Sequence, residues 1–212
     1  YDELDKRSQG GGGLTGVSSG FRELDNLTAG LQKGELIIVA GRPSMGKTAF
    51  ALNIAEHAAL ADENPVAVFS MEMSASSLAQ RMISSLGRVN SHSMRTGKLE
   101  ERDWNRIDGA IQQIKNAPIY IDDTPSLSPI ELRARARRIQ REKGLSLILI
   151  DYLQLMQVSG SKENRATEIS EISRNLKALA RELDVPIIAL SQLNRSVEQR
   201  TDKIPQMSDL RE

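Results

Sequence analysis

The amino-acid sequence predicts an α/β fold, a mainly parallel central sheet flanked by helices. Three observations predict it. Short apolar runs recur at Leu36–Ala40, Val66–Ser70, Ile119–Ile121, Leu147–Ile150 and Ile187–Leu190. Segments with helical spacing separate them. The first run also leads directly into a glycine-rich loop that opens a helix, a place where α/β proteins hold phosphates.

Each apolar run is short and nearly continuous in Val, Ile and Leu, the pattern of a strand buried on both faces of a parallel sheet. Pro118 and Pro186 stand at strand starts, where a missing N–H is tolerated. Between the strands, Ser128-Pro129-Ile130-Glu131 forms a capping box with proline at the first helical position. Leu132, Ala136 and Ile139 then make an apolar stripe. Ile169, Ile172, Leu176, Leu179 and Leu183 step by three and four, as on a core-facing helix. Trp104, Ile107, Ile111 and Ile114 repeat the pattern, so Trp104 is expected in the core and not as a platform for a ligand.

Composition narrows the class. The 212 residues are compatible with one domain, and 39% hydrophobic residues suffice for a core that the 3% aromatic content makes mostly aliphatic. Lys+Arg and Asp+Glu both number 28, which argues against a uniformly basic nucleic-acid coat and leaves room for a local patch. With no cysteine, disulfides and thiolate metal sites are excluded, and a reducing compartment fits. The opening stretch YDELDKRSQGGGG is charged and then glycine-rich, unlike a signal peptide. No apolar run reaches the roughly 20 residues that span a bilayer. A cytoplasmic protein with no membrane partner is expected. Residues 1–13 read as a linker remnant with a flexible glycine joint at Gly10–Gly13, and 14–212 as one domain.

The strongest signal is Gly41-Arg42-Pro43-Ser44-Met45-Gly46-Lys47-Thr48, which matches G-x-x-x-x-G-K-[ST] between a strand and a helix. Backbone N–H groups of such a loop face a polyphosphate, and Gly46 lets the backbone approach it. Lys47 adds a point charge at the β- and γ-phosphates, and the Thr48 hydroxyl ligates Mg²⁺. ATP with Mg²⁺ is the expected cofactor pair.

The ion needs a carboxylate nearby. Two strands end in one, at Asp122 and Asp151. The run before Asp151 is longer and more apolar, as a central strand should be, so Asp151 is favoured. Asp122-Asp123-Thr124-Pro125 reads better as a turn. Glu72 ends the buried run VAVFS. It is either a solvated strand-end carboxylate or the group that positions and polarises water against the γ-phosphate. Gln192 closes the last strand, either as a polar turn residue or as an amide that reports the γ-phosphate. His57 and His92 have no ligand partners at useful spacing and read as structural. Arg133, Arg135, Arg137, Arg138 and Arg141 line the polar face of one helix, which is ordinarily a solvated face, with nucleic-acid contact as the lesser alternative. Two polar segments, 157–167 and 194–212, follow the last two strands at the ligand end of the sheet. The second mixes Arg195, Arg200, Lys203 and Arg211 with acids and lacks aromatics, which favours phosphate contact over base stacking.

The stretches GRPSMGKTAFALNIA, FSMEMS, RTGKL, IYIDD, RARARRI, LILIDYLQLM, ISRNLKALARELDVPIIALSQLNRSVEQR and SDLRE occur in that order. Together they resemble the C-terminal motor domain of the DnaB-type bacterial replicative DNA helicases, over nearly the whole chain from about Leu14. The resemblance implies a RecA-like P-loop NTPase core. It also implies an ATP-hydrolysing homohexameric ring that translocates on single-stranded DNA, of 5'-3' type, with primase and a helicase loader as partners. Within the motif that begins at Gly41 and includes Met45, Ser44, Gly46, Lys47, Thr48 and the following Ala49 match the family's phosphate loop. Glu72 matches its catalytic glutamate, Arg81 an arginine near the nucleotide, Asp151 the metal-binding aspartate and Gln192 the γ-phosphate sensor. Arg211 and Glu212 match the start of a DNA-contacting loop. The family also has an N-terminal domain, and further strands with a trans-acting arginine finger beyond SDLRE. The chain is therefore expected to be a C-terminally truncated motor with weak ATPase activity. A recombinase or regulatory ring ATPase on the same core is the alternative, and a small-molecule kinase would need an arginine-bearing lid that is not evident.

Overall fold

The computed structural model describes residues 14–156 and 165–210. The linker and glycine joint at 1–13, the 157–164 part of the first polar segment, and Arg211 and Glu212 lie outside the described residues. Helix α1 (Arg22–Thr28) precedes strand β1 (Leu36–Gly41), which runs into α2 (Lys47–Leu60). Strand β2 (Val66–Ser70) is followed by α3 (Ala75–Gly87), α4 (Ser91–Thr96) and α5 (Glu101–Asn116). Then come β3 (Ile119–Asp122), α6 (Pro129–Lys143), β4 (Leu147–Asp151), α7 (Arg165–Leu183) and β5 (Ile187–Gln192). A short helix α8 (Ser196–Gln199) and a 3-10 turn at Met207–Leu210 follow. Each strand starts at its expected residue and runs at most two residues further.

The sheet is parallel throughout, in the order β1-β5-β4-β2-β3. Alternation inside the continuous apolar runs divides the core into two layers. Ala67, Phe69, Ile148, Ile150 and Ala189 face Leu132 and Ala136 of α6 and Ile172, Leu176 and Leu179 of α7. Val66, Val68, Leu147, Leu149, Ile188 and Leu190 face Ala51, Ile54, Ala55 and Ala58 of α2. Both faces of β2 and β4 are dry, which is why their sequences show no polar alternation. The prolines at the strand starts give their carbonyls to the sheet, Pro118 accepting from Val66 N–H at 2.9 Å and Pro186 from Ile148 N–H at 3.1 Å. The capping box forms: Glu131 N–H donates to Ser128 Oγ and Ser128 N–H to Glu131 Oε2.

One core expectation is corrected. Trp104 is 55% exposed and Ile111 39%, whereas Ile107 and Ala110 are buried. Helix α5 lies at the periphery and packs chiefly on α3. A single helical partner buries only the narrow line through Asp103, Ile107, Ala110 and Ile114. Trp104 and Ile111, spaced by seven, fall on its flank.

The arginine face of α6 is largely engaged within the fold. Arg135 pairs with Asp122 at 2.6 Å, and Arg133 and Arg137 both reach Glu182 of α7. His57 is structural: its Nε2 lies 3.1 Å from Ser18 Oγ, and Ser18 Oγ donates to Asp25 Oδ2 at 2.8 Å. That chain of contacts ties α1 to α2.

Candidate active site

The carboxyl ends of β1, β2, β4 and β5 meet at one end of the sheet, where ligands of open α/β folds bind. Neighbouring strands carry their candidate residues there in register: Gly41 lies opposite Gln192, and Ser70 opposite Asp151.

The phosphate loop opens with β1 and closes into α2. Ser44 has φ 63° and Gly46 φ 85°, so the loop crosses the left-handed region twice. A Cβ at Gly46 would meet no atom within 4 Å. The backbone angle, and not crowding within the protein, is what calls for glycine there. Lys47 Nζ donates to the carbonyl of Gly41 at 2.7 Å, which folds its ammonium back over the loop. Burial lowers the Lys47 pKa, and the charges of Asp151 and Glu72 oppose that shift.

Asp151 ends the central strand β4 and is 2% exposed. Its Oδ2 accepts the Thr48 hydroxyl at 3.0 Å. Burial raises its pKa, a shift that the Thr48 hydrogen bond opposes and the nearby Glu72 carboxylate reinforces, while Lys47 and Arg81 pull the other way. Thr48 and Asp151 thus present two hard oxygen donors side by side, a pair that fits Mg²⁺ completed by phosphate oxygens and water. Asp122 is placed elsewhere. Burial raises its pKa, but hydrogen bonds from Thr124 and Arg135 outweigh that, so the carboxyl lies below its ordinary value. It works in the turn.

Glu72 is delivered by a local device. Ser70, fully buried at the end of β2, donates through Oγ to the Met73 carbonyl at 2.7 Å and accepts the Met73 N–H at 3.1 Å. The chain turns sharply over Met71 and Glu72, and Met71 N–H donates to the Asp151 carbonyl at 2.8 Å. Glu72 is consequently exposed at the mouth of the sheet. Ser74 then caps α3, which carries Arg81.

These parts line one cleft of about 280 Å³, with Ser44, Met45, Gly46, Lys47, Thr48 and Ala49 on one wall and Glu72, Arg81 and Gln192 facing it. Asp151 lies beneath, reaching the cleft through Thr48. Gly41 is outside the wall and acts through its carbonyl. Arg211 and Glu212 are outside the described residues. A second hollow of about 540 Å³ flanks the loop; its lining is mainly apolar, with Val39, Phe50, Leu193 and Val197, and Arg42, Lys47, Glu198 and Lys203 stand at it, but neither Glu72 nor Gln192 does.

Nothing in the sequence singles out Arg42, Tyr152 or Gln154, yet Arg42 and Tyr152 line the cleft. Gln154 anchors the end of β5, donating through Nε2 to Ser191 Oγ at 2.9 Å and the Gln192 carbonyl at 3.1 Å, and accepting the Gln192 N–H at 3.2 Å. Arg42 occupies an unrestricted position of the motif. Gln154 reaches Gln192 only because β4 and β5 are neighbours. Among the described residues, no group of three or more His, Asp or Glu side chains could hold a metal by itself. No described helix is long and apolar enough to cross a membrane.

Comparison with known proteins is consistent with this geometry. The chain is 57% identical over 213 aligned residues to the replicative DNA helicase DnaB of Geobacillus stearothermophilus, covering all of this chain and 47% of that protein. It is 55% identical to the replicative DNA helicase DnaC of Bacillus subtilis (strain 168), again covering 47% of it. A solved DnaB-like replicative helicase, described with its interactions with primase, superposes with a TM-score of 0.93 at 39% identity, over 99% of this chain and 51% of that one. The chain spans about half the length of the curated relatives it matches. The model of the DnaB-like helicase C-terminal domain matches residues 16–212, and the chain belongs to that family.

Proposed function

We propose that this chain is the ATP-driven motor of a replicative DNA helicase, one that hydrolyses ATP to translocate on single-stranded DNA and unwind the duplex at a fork. The observation that carries the reading is the convergence of Lys47, the Thr48–Asp151 pair, Glu72 and Gln192 on one cleft. The family match favours a helicase over a recombinase on the same core.

In this reading the loop N–H groups and Lys47 bind the β- and γ-phosphates, with ATP lying between the phosphate loop and Arg81. Thr48 and Asp151 would hold Mg²⁺, which would supply charge neutralisation at the β- and γ-phosphates. Glu72 orients a water toward the γ-phosphorus and takes its proton as the new P–O bond forms and the β,γ-bridging P–O bond breaks, leaving ADP and phosphate. Gln192 senses the γ-phosphate through its side-chain amide, and its backbone is fixed by Gln154. Arg211 and Glu212, next in the chain after the Met207–Leu210 turn, begin a segment that contacts the DNA backbone. The whole protein works in the cytoplasm as a homohexamer that meets a primase and a loader. An arginine from a neighbouring subunit stabilises the transition-state charge, so an isolated subunit turns over slowly.

Glu72→Gln in the full-length protein tests the assignment. The variant is expected to bind ATP normally but to lose hydrolysis and fork unwinding, by at least about 100-fold if general-base catalysis is removed. Normal unwinding by Glu72→Gln removes Glu72 from the mechanism. Arg211→Ala should weaken binding to all single-stranded sequences alike and lower the salt slope.

A further inference from the structure

Strands β1 and β5 lie side by side, with Gly41 in register with Gln192. Past these residues the chain parts in two directions. One continuation becomes the phosphate loop; the other enters the 193–210 segment. Arg42 joins them again. Its Nη1 donates to the Leu193 carbonyl at 2.8 Å, and its Nε to Glu198 Oε1 at 2.7 Å. The Arg42 side chain is only 16% exposed. A guanidinium holds both acceptors in one rigid plane, so the contact fixes orientation as well as distance.

The far side of this strap is a hydrogen-bonded body. Asp209, 2% exposed, accepts from both terminal nitrogens of Arg200 and from Gln206 N–H, and its carbonyl accepts Asn194 N–H at 3.0 Å. Arg200 Nη2 also donates to the Ile204 carbonyl at 2.7 Å. Glu198 sits on α8 inside this loop. A shift of Arg42 therefore reaches 194–210 as a unit and is not absorbed by slack chain.

An ion pair with an exposed acid adds little to stability, so stability alone gives weak reason for this one. Arg42 also lines the phosphate cleft, and its charge is felt at Lys47. A polyphosphate in the cleft competes with Glu198 and the Leu193 carbonyl for the same guanidinium. We propose that Arg42 is a positioning residue that couples occupancy of the phosphate site to the placement of the 194–210 segment, through its contacts with Glu198 and Leu193. The inference rests on the reading above, in which that segment leads into the residues that meet single-stranded DNA.

The test is the affinity of a labelled oligothymidine for the full-length protein, with and without a non-hydrolysable ATP analogue. Wild type, Glu198→Ala, Glu198→Gln and Arg42→Lys are compared. In wild type the analogue is expected to change DNA affinity by about 5-fold or more, an ordinary coupling. Glu198→Ala should reduce that ratio by about threefold or more, while affinity for the analogue alone stays within about twofold. Arg42→Lys, which keeps the charge but loses the fork, should reduce it likewise. Glu198→Gln, which still offers an oxygen to Nε, should retain most of it. Retention of the wild-type ratio by both Glu198→Ala and Arg42→Lys overturns the strap and leaves the DNA reading standing. So does wild-type DNA binding with no dependence on the analogue, or a Glu198→Gln ratio as low as that of Glu198→Ala. A wild type that binds the analogue and no DNA overturns both.

Discussion

The hydroxyl of Thr48, in the first turn of α2, donates to Oδ2 of Asp151 across 3.0 Å and so joins the phosphate loop to the end of the central strand. Asp151 stays almost wholly buried there, and its pKa is raised chiefly by that burial. A buried carboxylate held by a single hydroxyl costs stability unless something else shares the site. In the proposed function, a cation that the ligand brings with it would share the site.

Asp151→Asn should accordingly separate function from stability. The amide keeps an oxygen for Thr48 and removes the buried charge, so the Tm is expected not to fall. Mg²⁺-dependent ATP hydrolysis should drop by about 100-fold or more, since a metal ion is worth several kcal/mol of transition-state stabilisation. Asp122→Asn is the contrast. Its carboxylate serves Arg135 and the Thr124 N–H, so its loss should lower the Tm slightly and leave hydrolysis within about twofold. Thermal unfolding and steady-state ATPase rates on the two variants decide between the strand ends, and equal loss of hydrolysis in both refutes the choice of Asp151.

Ser70 offers a test of how Glu72 is aimed. Ser70→Ala leaves the Met73 N–H and carbonyl without their partner in a partly buried turn, at a cost of about 1 kcal/mol. The turn that presents Glu72 then loosens, so kcat should fall while KM for ATP changes little. Ser70→Thr, which restores a hydroxyl, should recover most of kcat. A fall in stability with kcat unchanged would show that the turn holds the fold and does not aim the carboxylate.

Glu56 predicts a pH dependence away from the chemistry. It is 6% exposed on α2, and its pKa is pushed up to about 7 by burial, only partly offset by a hydrogen bond from Ser85 of α3. The folded protein therefore keeps this proton where the unfolded chain has lost it. The contribution of Glu56 to stability is greatest below the ordinary value of 4.5, declines as the pH rises from there to about 7, and is level above. The full effect is on the order of 3 kcal/mol. Glu56→Gln should remove that decline and raise the Tm at pH 8 more than at pH 5. Thermal melts across that range check it; parallel profiles for wild type and variant would refute the assignment.

Much of the fold was legible because local and global preferences agree. Both faces of β2 and β4 are buried, so their sequences are continuous apolar runs; α6 and α7 face the sheet along broad stripes, so their periodicity is plain. The phosphate loop was legible for a different reason. Its function needs a left-handed glycine, a lysine and a hydroxyl at fixed spacing, and that need is written in consecutive residues. Trp104 shows the limit. Helical spacing tells which residues share a face, and only the number of packed neighbours tells how wide a face is buried.

The tertiary structure decided what depends on strands being neighbours. The sequence ended two strands in aspartate, but the order β1-β5-β4-β2-β3 and its register set Asp151 under Thr48 and sent Asp122 to Arg135. The sequence marked Glu72 and Gln192 as polar residues closing apolar runs; the sheet brought them to one cleft. Gln154 on Gln192, and Arg42 on Leu193 and Glu198, carry no sequence signal, because their partners lie far along the chain and any polar residue could occupy their positions until the fold closes the distance. Chemistry that sits in consecutive residues was determined by the sequence itself. Chemistry assembled across strands waited for packing to choose which ends meet.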